Sequence, residues 1–191
     1  MVQQLVTGIR IGREMHPSSL GLKEGQLPPS GDTLQRASTS LERLQQAASP
    51  LDKLEHLLDA CAAIYNHAAR TCGETVAAED FLPLLAWLLA RCGFISAEIE
   101  ADFMWALLQP SLLAGEGGYF LTALSSAAQL LKNLPSQLAA PPGSSVSALN
   151  TSAQSNRSAS PTDSTSWMGT LSSIPEWSTA GNQIFRSFKK F

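Results

Sequence analysis

The sequence has no long apolar run: the longest, Phe81 to Ala90, is stopped by Arg91, well short of the ~20 residues that carry a helix across a bilayer. A signal-peptide core is also missing, because Met1 to His16 interleaves Gln3, Gln4, Arg10, Arg13 and Glu14 with its apolar residues, and a cytoplasmic address is expected. Cysteine is scarce. Cys61, Cys72 and Cys92 are odd in number and unrelated in spacing, which argues against a disulfide framework and suits a reducing compartment. His16, His56 and His67 stand at no metal-ligand spacing, so neither metal nor cofactor is expected. Positive charge is not in excess either. With 13 basic against 16 acidic residues the net charge is -3, which excludes the electrostatic footprint of a nucleic-acid partner.

What is present is apolar residue at helical spacing, 44% hydrophobic overall, with no sustained alternation of period two, so the fold class expected is all-α, a helical bundle. Residues 1–31 end in the turn-rich Leu27-Pro28-Pro29-Ser30-Gly31 and read as a leader of uncertain order. The helical domain is expected over 32–134. Asp32 or Thr33 can cap a helix carrying Leu34, Leu41 and Leu44 that ends near Ala48. Ser49 caps the next, with Pro50 at its first position, where a missing N–H costs nothing. Leu51, Leu54, Leu57, Leu58, Cys61, Ile64 and Tyr65 then follow at three- and four-residue steps and form a wide buried stripe.

Phe81 to Arg91 is apolar almost all round and belongs at the centre of the bundle, with Gly93 closing it. Ser96 is expected to cap a further helix whose inward face is Ile99, Phe103, Leu107 and Leu108. Pro110 ends that helix, and the last one runs from Tyr119 to Leu134, where Pro135 stops it. Beyond Pro135, residues 135–191 turn to Ser, Thr, Ala, Pro and Gly. That composition buries too little apolar area to offset chain entropy, so a disordered C-terminal tail is expected. Its end, Ile184 to Phe191, is basic and aromatic, a candidate for contact with lipid or a partner helix.

Two segments are not what packing alone would select. In Ala78-Glu79-Asp80-Phe81-Leu82-Pro83-Leu84-Leu85 two carboxylates precede an apolar helix. In Gly115-Glu116-Gly117-Gly118-Tyr119-Phe120-Leu121-Thr122 three glycines surround a carboxylate and lead into an aromatic-hydroxyl pair. Tyr119 and Thr122 stand three apart and so share a helix face, while glycine lets a partner approach the backbone closely. Taken singly, Asp80 can be a helix N-cap, Tyr119 a partly buried tyrosine, and Thr122 a hydroxyl bonded back to its own helix.

Taken together, the order and spacing of these pieces resemble the vacuolar-protein-sorting-nine (VPS-nine) domain. In that family an acid stands four positions before the proline of an Asp-x-Phe-Leu-Pro-like segment, and a Gly-Glu-x-Gly-Tyr-x-Leu-Thr segment follows. Glu79 and Pro83 fill the first pattern, and Tyr119 and Thr122 the second. The likeness runs from about Ser49 to Leu134. Pro110-Ser111-Leu112-Leu113 and Leu131-Lys132-Asn133 look most like the Ras-and-Rab-interactor branch.

The resemblance implies a guanine-nucleotide exchange factor for an early-endosomal, Rab-five-class small GTPase, recruited from the cytoplasm to early endosomes and peripheral to their membrane. It implies Glu79, with Asp80 beside it, as the acid that destabilises bound GDP and its magnesium, and Pro83, Tyr119 and Thr122 as GTPase-binding residues. Phe81, Leu84, Leu85 and Trp87 are read as core or groove edge. The alternative is a non-catalytic Rab-binding or helical adaptor module.

Overall fold

A computed structural model describes the backbone of residues 2–72 and 78–139 and the side chains of residues 3–71 and 80–139. The elements are α1 (Val2–Glu14), a 3-10 helix (Pro17–Leu20), α2 (Gly31–Gln46), α3 (Pro50–Cys72), α4 (Ala78–Cys92), α5 (Ala97–Leu107), α6 (Pro110–Leu113) and α7 (Glu116–Ala139). Among the described residues there is no strand, and the protein is all-α. The tail beyond Ala139, with its basic aromatic end, lies outside the described residues.

Helices α2 and α3 form an antiparallel hairpin, and its turn is closed as Ser49 and Pro50 require. The Ser49 hydroxyl accepts from the N–H groups of Leu51 and Asp52 at 3.2 and 3.5 Å. The expected cap of α2 is different. Helix α2 opens at Gly31, and Thr33 is buried, its hydroxyl accepting from Arg70 at 3.3 Å. At the other end of the hairpin Lys53 is buried, donates to the Leu44 carbonyl at 2.8 Å and pairs with Glu100 of α5 at 2.7 Å. A cation at the carboxyl end of α2 satisfies an orphan carbonyl, and the carboxylate beside it compensates the buried charge. The α3 stripe is buried from Leu54 through Ile64, whereas Leu51 at its start stays 39% exposed.

Helix α4 is the centre of the bundle. Leu84 through Ala90 are all buried, and α1, α2, α3 and the 3-10 helix all contact it. Gly93, at φ +67°, ends it. The Phe94 N–H reaches back to Leu89 and the Gly93 N–H to Ala90, the paired bonds of a glycine-terminated helix.

The leader is part of the bundle. Leu5 and Ile9 of α1 are buried, and a methyl group on Gly8 would overlap the Leu131 carbonyl oxygen of α7. That carbonyl is four residues before Pro135 and lacks the N–H that an ordinary residue there would offer. So Pro135 does not stop α7, which runs on to Ala139. The bare carbonyl it leaves lies against a glycine of another helix.

Three further expectations are corrected. The inward face of α5 is Ala97, Ala101, Met104 and Leu108, while Ile99 and Leu107 are 57% and 56% exposed. Small residues let α5 approach its neighbours closely, and bulk at positions 99 and 107 is left outside. Ser96 makes no cap bond; its hydroxyl accepts from Gln45 of α2 at 2.7 Å. Helix α7 begins at Glu116, so Gly117 and Gly118 lie in its first turn rather than in a turn before it. The close approach they permit is to the Leu112 and Leu113 carbonyls of α6.

Candidate functional site

The start of α4 and the start of α7 meet through four aromatic rings. Phe81 is buried and stacks on Tyr65 of α3 with centroids 4.6 Å apart and planes 11° apart. Phe120 meets Phe81 edge-on at 5.7 Å and Tyr65 at 6.0 Å, and Tyr119 packs edge-on to Phe120 at 5.0 Å. Such pairs contribute roughly 0.5–1.5 kcal/mol each beyond the area they bury. The residue following Asp80 and the residue following Tyr119 are therefore in one packed cluster. Phe81, Leu84, Leu85 and Trp87 are all core.

Tyr119 is half-buried, and its hydroxyl and that of Tyr65 are hydrogen-bonded to each other. Burial pushes both phenols above the usual tyrosine value. Their mutual bond raises Tyr65 further and partly offsets the rise at Tyr119. Tyr65 looked in the sequence like one more residue of the α3 stripe. Its polar tip facing Tyr119 had no signal in spacing.

Asp80 is the third residue of α4 and not its N-cap. Its carboxylate lies 2.6 Å from the Lys23 ammonium, and its backbone carbonyl accepts from the Gln26 side chain at 3.1 Å. Pro83 sits inside α4, so the Glu79 carbonyl four residues earlier has no helical donor. The Pro83 ring lies beside Gly21, within 3.5 Å of where a Cβ there would be. The segment joining the 3-10 helix to α2 thus touches the start of α4 at Asp80 and at Pro83. The Glu79 side chain lies outside the described side chains.

Thr122 is exposed, and its hydroxyl donates to the Gly118 carbonyl at 2.8 Å. Only its lone pairs are left for a partner. Glu116 opens the first turn of α7, and burial raises its carboxyl above the usual range. Among the described residues no group of three His, Cys, Asp or Glu side chains is placed to hold a metal ion, and no single helix is long and apolar enough to cross a membrane.

An all-α bundle with an acid pair in the first turn of a buried helix, and a Tyr-x-x-Thr pair set beside it, defines a class. The chain belongs to the VPS9 family: residues 34–136 match the model of the Vacuolar sorting protein 9 (VPS9) domain. It is 45% identical over 131 residues to Protein sprint of Drosophila melanogaster, covering 69% of this chain and 7% of that protein. With human Ras and Rab interactor 1 it shares 38% over 131 residues, covering 69% of this chain and 16% of the relative. With mouse Ras and Rab interactor 2 the figures are 34% over 140 residues, 72% and 15%. The chain therefore spans only a small part of the length of the curated relatives it matches.

Proposed function

We propose that the chain is a guanine-nucleotide exchange factor for a Rab-family small GTPase of the early-endosomal class, acting from the cytoplasm at that membrane. The observation that carries the reading is the convergence of its two motifs: Phe81, one residue past the acid pair, and Phe120, between Tyr119 and Thr122, pack ring against ring. A GTPase holds GDP through a phosphate-binding loop, its lysine and a magnesium ion. A carboxylate introduced there competes for the same positive charge and weakens the hold on the nucleotide. By its place four residues before Pro83, Glu79 is the displacing acid, with Asp80, which pairs with Lys23, beside it. Pro83, whose ring lies beside Gly21, shapes the start of α4 and, with Tyr119 and Thr122, binds the GTPase.

The test is release of fluorescent GDP from a panel of Rab GTPases. The full chain is expected to accelerate release from an early-endosomal member. Glu79→Ala is expected to lower that rate roughly tenfold or more, as loss of a positioned charge does, while Asp80→Asn leaves most of it. A large loss with Asp80→Asn and none with Glu79→Ala would move the role by one residue. A second reading, a Rab-binding module without exchange, is favoured by the internal bonds of Asp80 and Thr122. Binding with no acceleration would select it.

A further inference from the structure

The VPS9 match begins at residue 34, yet a segment ahead of it lies on the start of α4. Leu20 and Leu22 are buried before this segment and Pro29 is buried after it, so both of its ends are anchored. Between them residues 23–26 close a small turn: the Gln26 N–H donates to the Lys23 carbonyl at 3.0 Å, and the Lys23 N–H donates to the Gln26 side-chain oxygen at 3.2 Å. The turn reaches α4 through polar side chains. The Lys23 ammonium lies 2.6 Å from the Asp80 carboxylate, and the Gln26 amide donates to the Asp80 carbonyl at 3.1 Å. Three residues on, the Pro83 ring lies beside Gly21.

In the exchange reading Asp80 is half of the acid pair and Pro83 is a GTPase contact, and a face covered by its own chain cannot be covered by a partner at the same time. An ammonium on the acid pair also cancels one of its charges, which weakens its pull on the lysine and magnesium ion of a phosphate site. The contact is built to open. No residue from 23 to 28 is buried, so lifting the turn forfeits little apolar burial, and an exposed ion pair is weak and screened by salt.

We infer that residues 21–26 form an autoinhibitory strap: Lys23 sits on the acid pair as an internal stand-in for the cations of the GTPase, and docking displaces it. The inference rests on the exchange reading above and adds a brake supplied from outside the VPS9 match. Its strength is set by one exposed ion pair. It therefore scales the rate by a few-fold and does not lock the surface shut.

The experiment measures GDP release by the full chain with Lys23→Ala, Asp80→Asn and the double variant, using the same fluorescent-GDP panel and a thermal melt of each protein. Lys23→Ala is expected to raise kcat/KM about two- to fivefold at low salt, the range of an exposed ion pair, and the gain is expected to shrink as salt rises. In the Asp80→Asn background the pair is already broken, so the same substitution is expected to add nothing. Lys23→Ala giving no gain or a loss, or an equal gain with and without the Asp80 carboxylate, overturns the strap and leaves exchange intact. A chain that accelerates no GTPase either with Lys23 or without it overturns both.

Discussion

At its carboxyl end α4 is closed by backbone bonds around Gly93 and by Arg13 of α1, whose guanidinium donates to the Ala90 and Arg91 carbonyls at 3.4 and 3.3 Å. At its amino end the same helix contains a proline, has a carbonyl with no helical donor, and is gripped from outside by Lys23 and Gln26. Orphan carbonyls at the first end are satisfied by a glycine turn and a cation, the arrangement that helix termini favour. The second end has the acids, and its anchors are long polar side chains on a connecting segment. A binding surface needs a rigid support and an end that a partner can engage, and α4 places these some twelve residues apart.

The largest expected effect comes from removing what joins the amino end to the core. Phe81→Ala deletes the ring on which Tyr65 stacks and is expected to destabilise the fold by about 3–5 kcal/mol, read by denaturant unfolding. A loss below ~1 kcal/mol would show that the aromatic cluster does not anchor that end.

Alkali should act on the same cluster. Both tyrosines are held above the usual phenol value by burial, so the unfolded chain releases these protons first. The stability they contribute is complete below about pH 10 and is lost as pH rises through the folded-state values. Melting temperature should therefore fall above that pH, and less steeply in the Tyr65→Phe, Tyr119→Phe double variant. Equal slopes would contradict the burial of the two phenols.

Gly93→Ala tests the opposite end. A side chain at φ +67° costs about 1–2 kcal/mol, and the new methyl would displace the Arg13 guanidinium that now lies 2.7 Å from its position. The smallest effect is expected from Lys23→Ala. Its side chain is 60% exposed, so its pair with Asp80 contributes at most about 1 kcal/mol and less in high salt. If Lys23→Ala proved more damaging than Gly93→Ala, the contrast between the two ends of α4 would be reversed.

Much of this architecture was legible in the chain. Ser49-Pro50 announces its helix start by chemistry that is purely local, and the run through Leu89 announces a buried helix because every face is apolar. Contacts that depend on what a residue lacks were not legible. Gly8 and Gly12 give α1 no apolar period, yet their missing side chains are what admit α7. On α5 hydrophobicity pointed to Ile99 and Leu107, while Ala97 and Ala101 occupy the contact, since proximity is decided by size as much as by polarity. Gly117 and Gly118 looked like a turn because glycine is weak inside helices, and the demand of the α6 carbonyls overrides that preference. At the candidate site, the acid pair and the Tyr-x-x-Thr pair were visible as motifs. Lys23, Gln26 and Tyr65 were not, because each acts from a segment that only folding brings near.

The fit of Gly8 against Leu131 gives the experimenter a wedge. A single added methyl at position 8 would pry the first helix from the last without altering any residue of the acid or tyrosine motifs. The leader's contribution to the bundle can thus be switched off by one alanine, with every candidate contact to the GTPase still encoded in the chain.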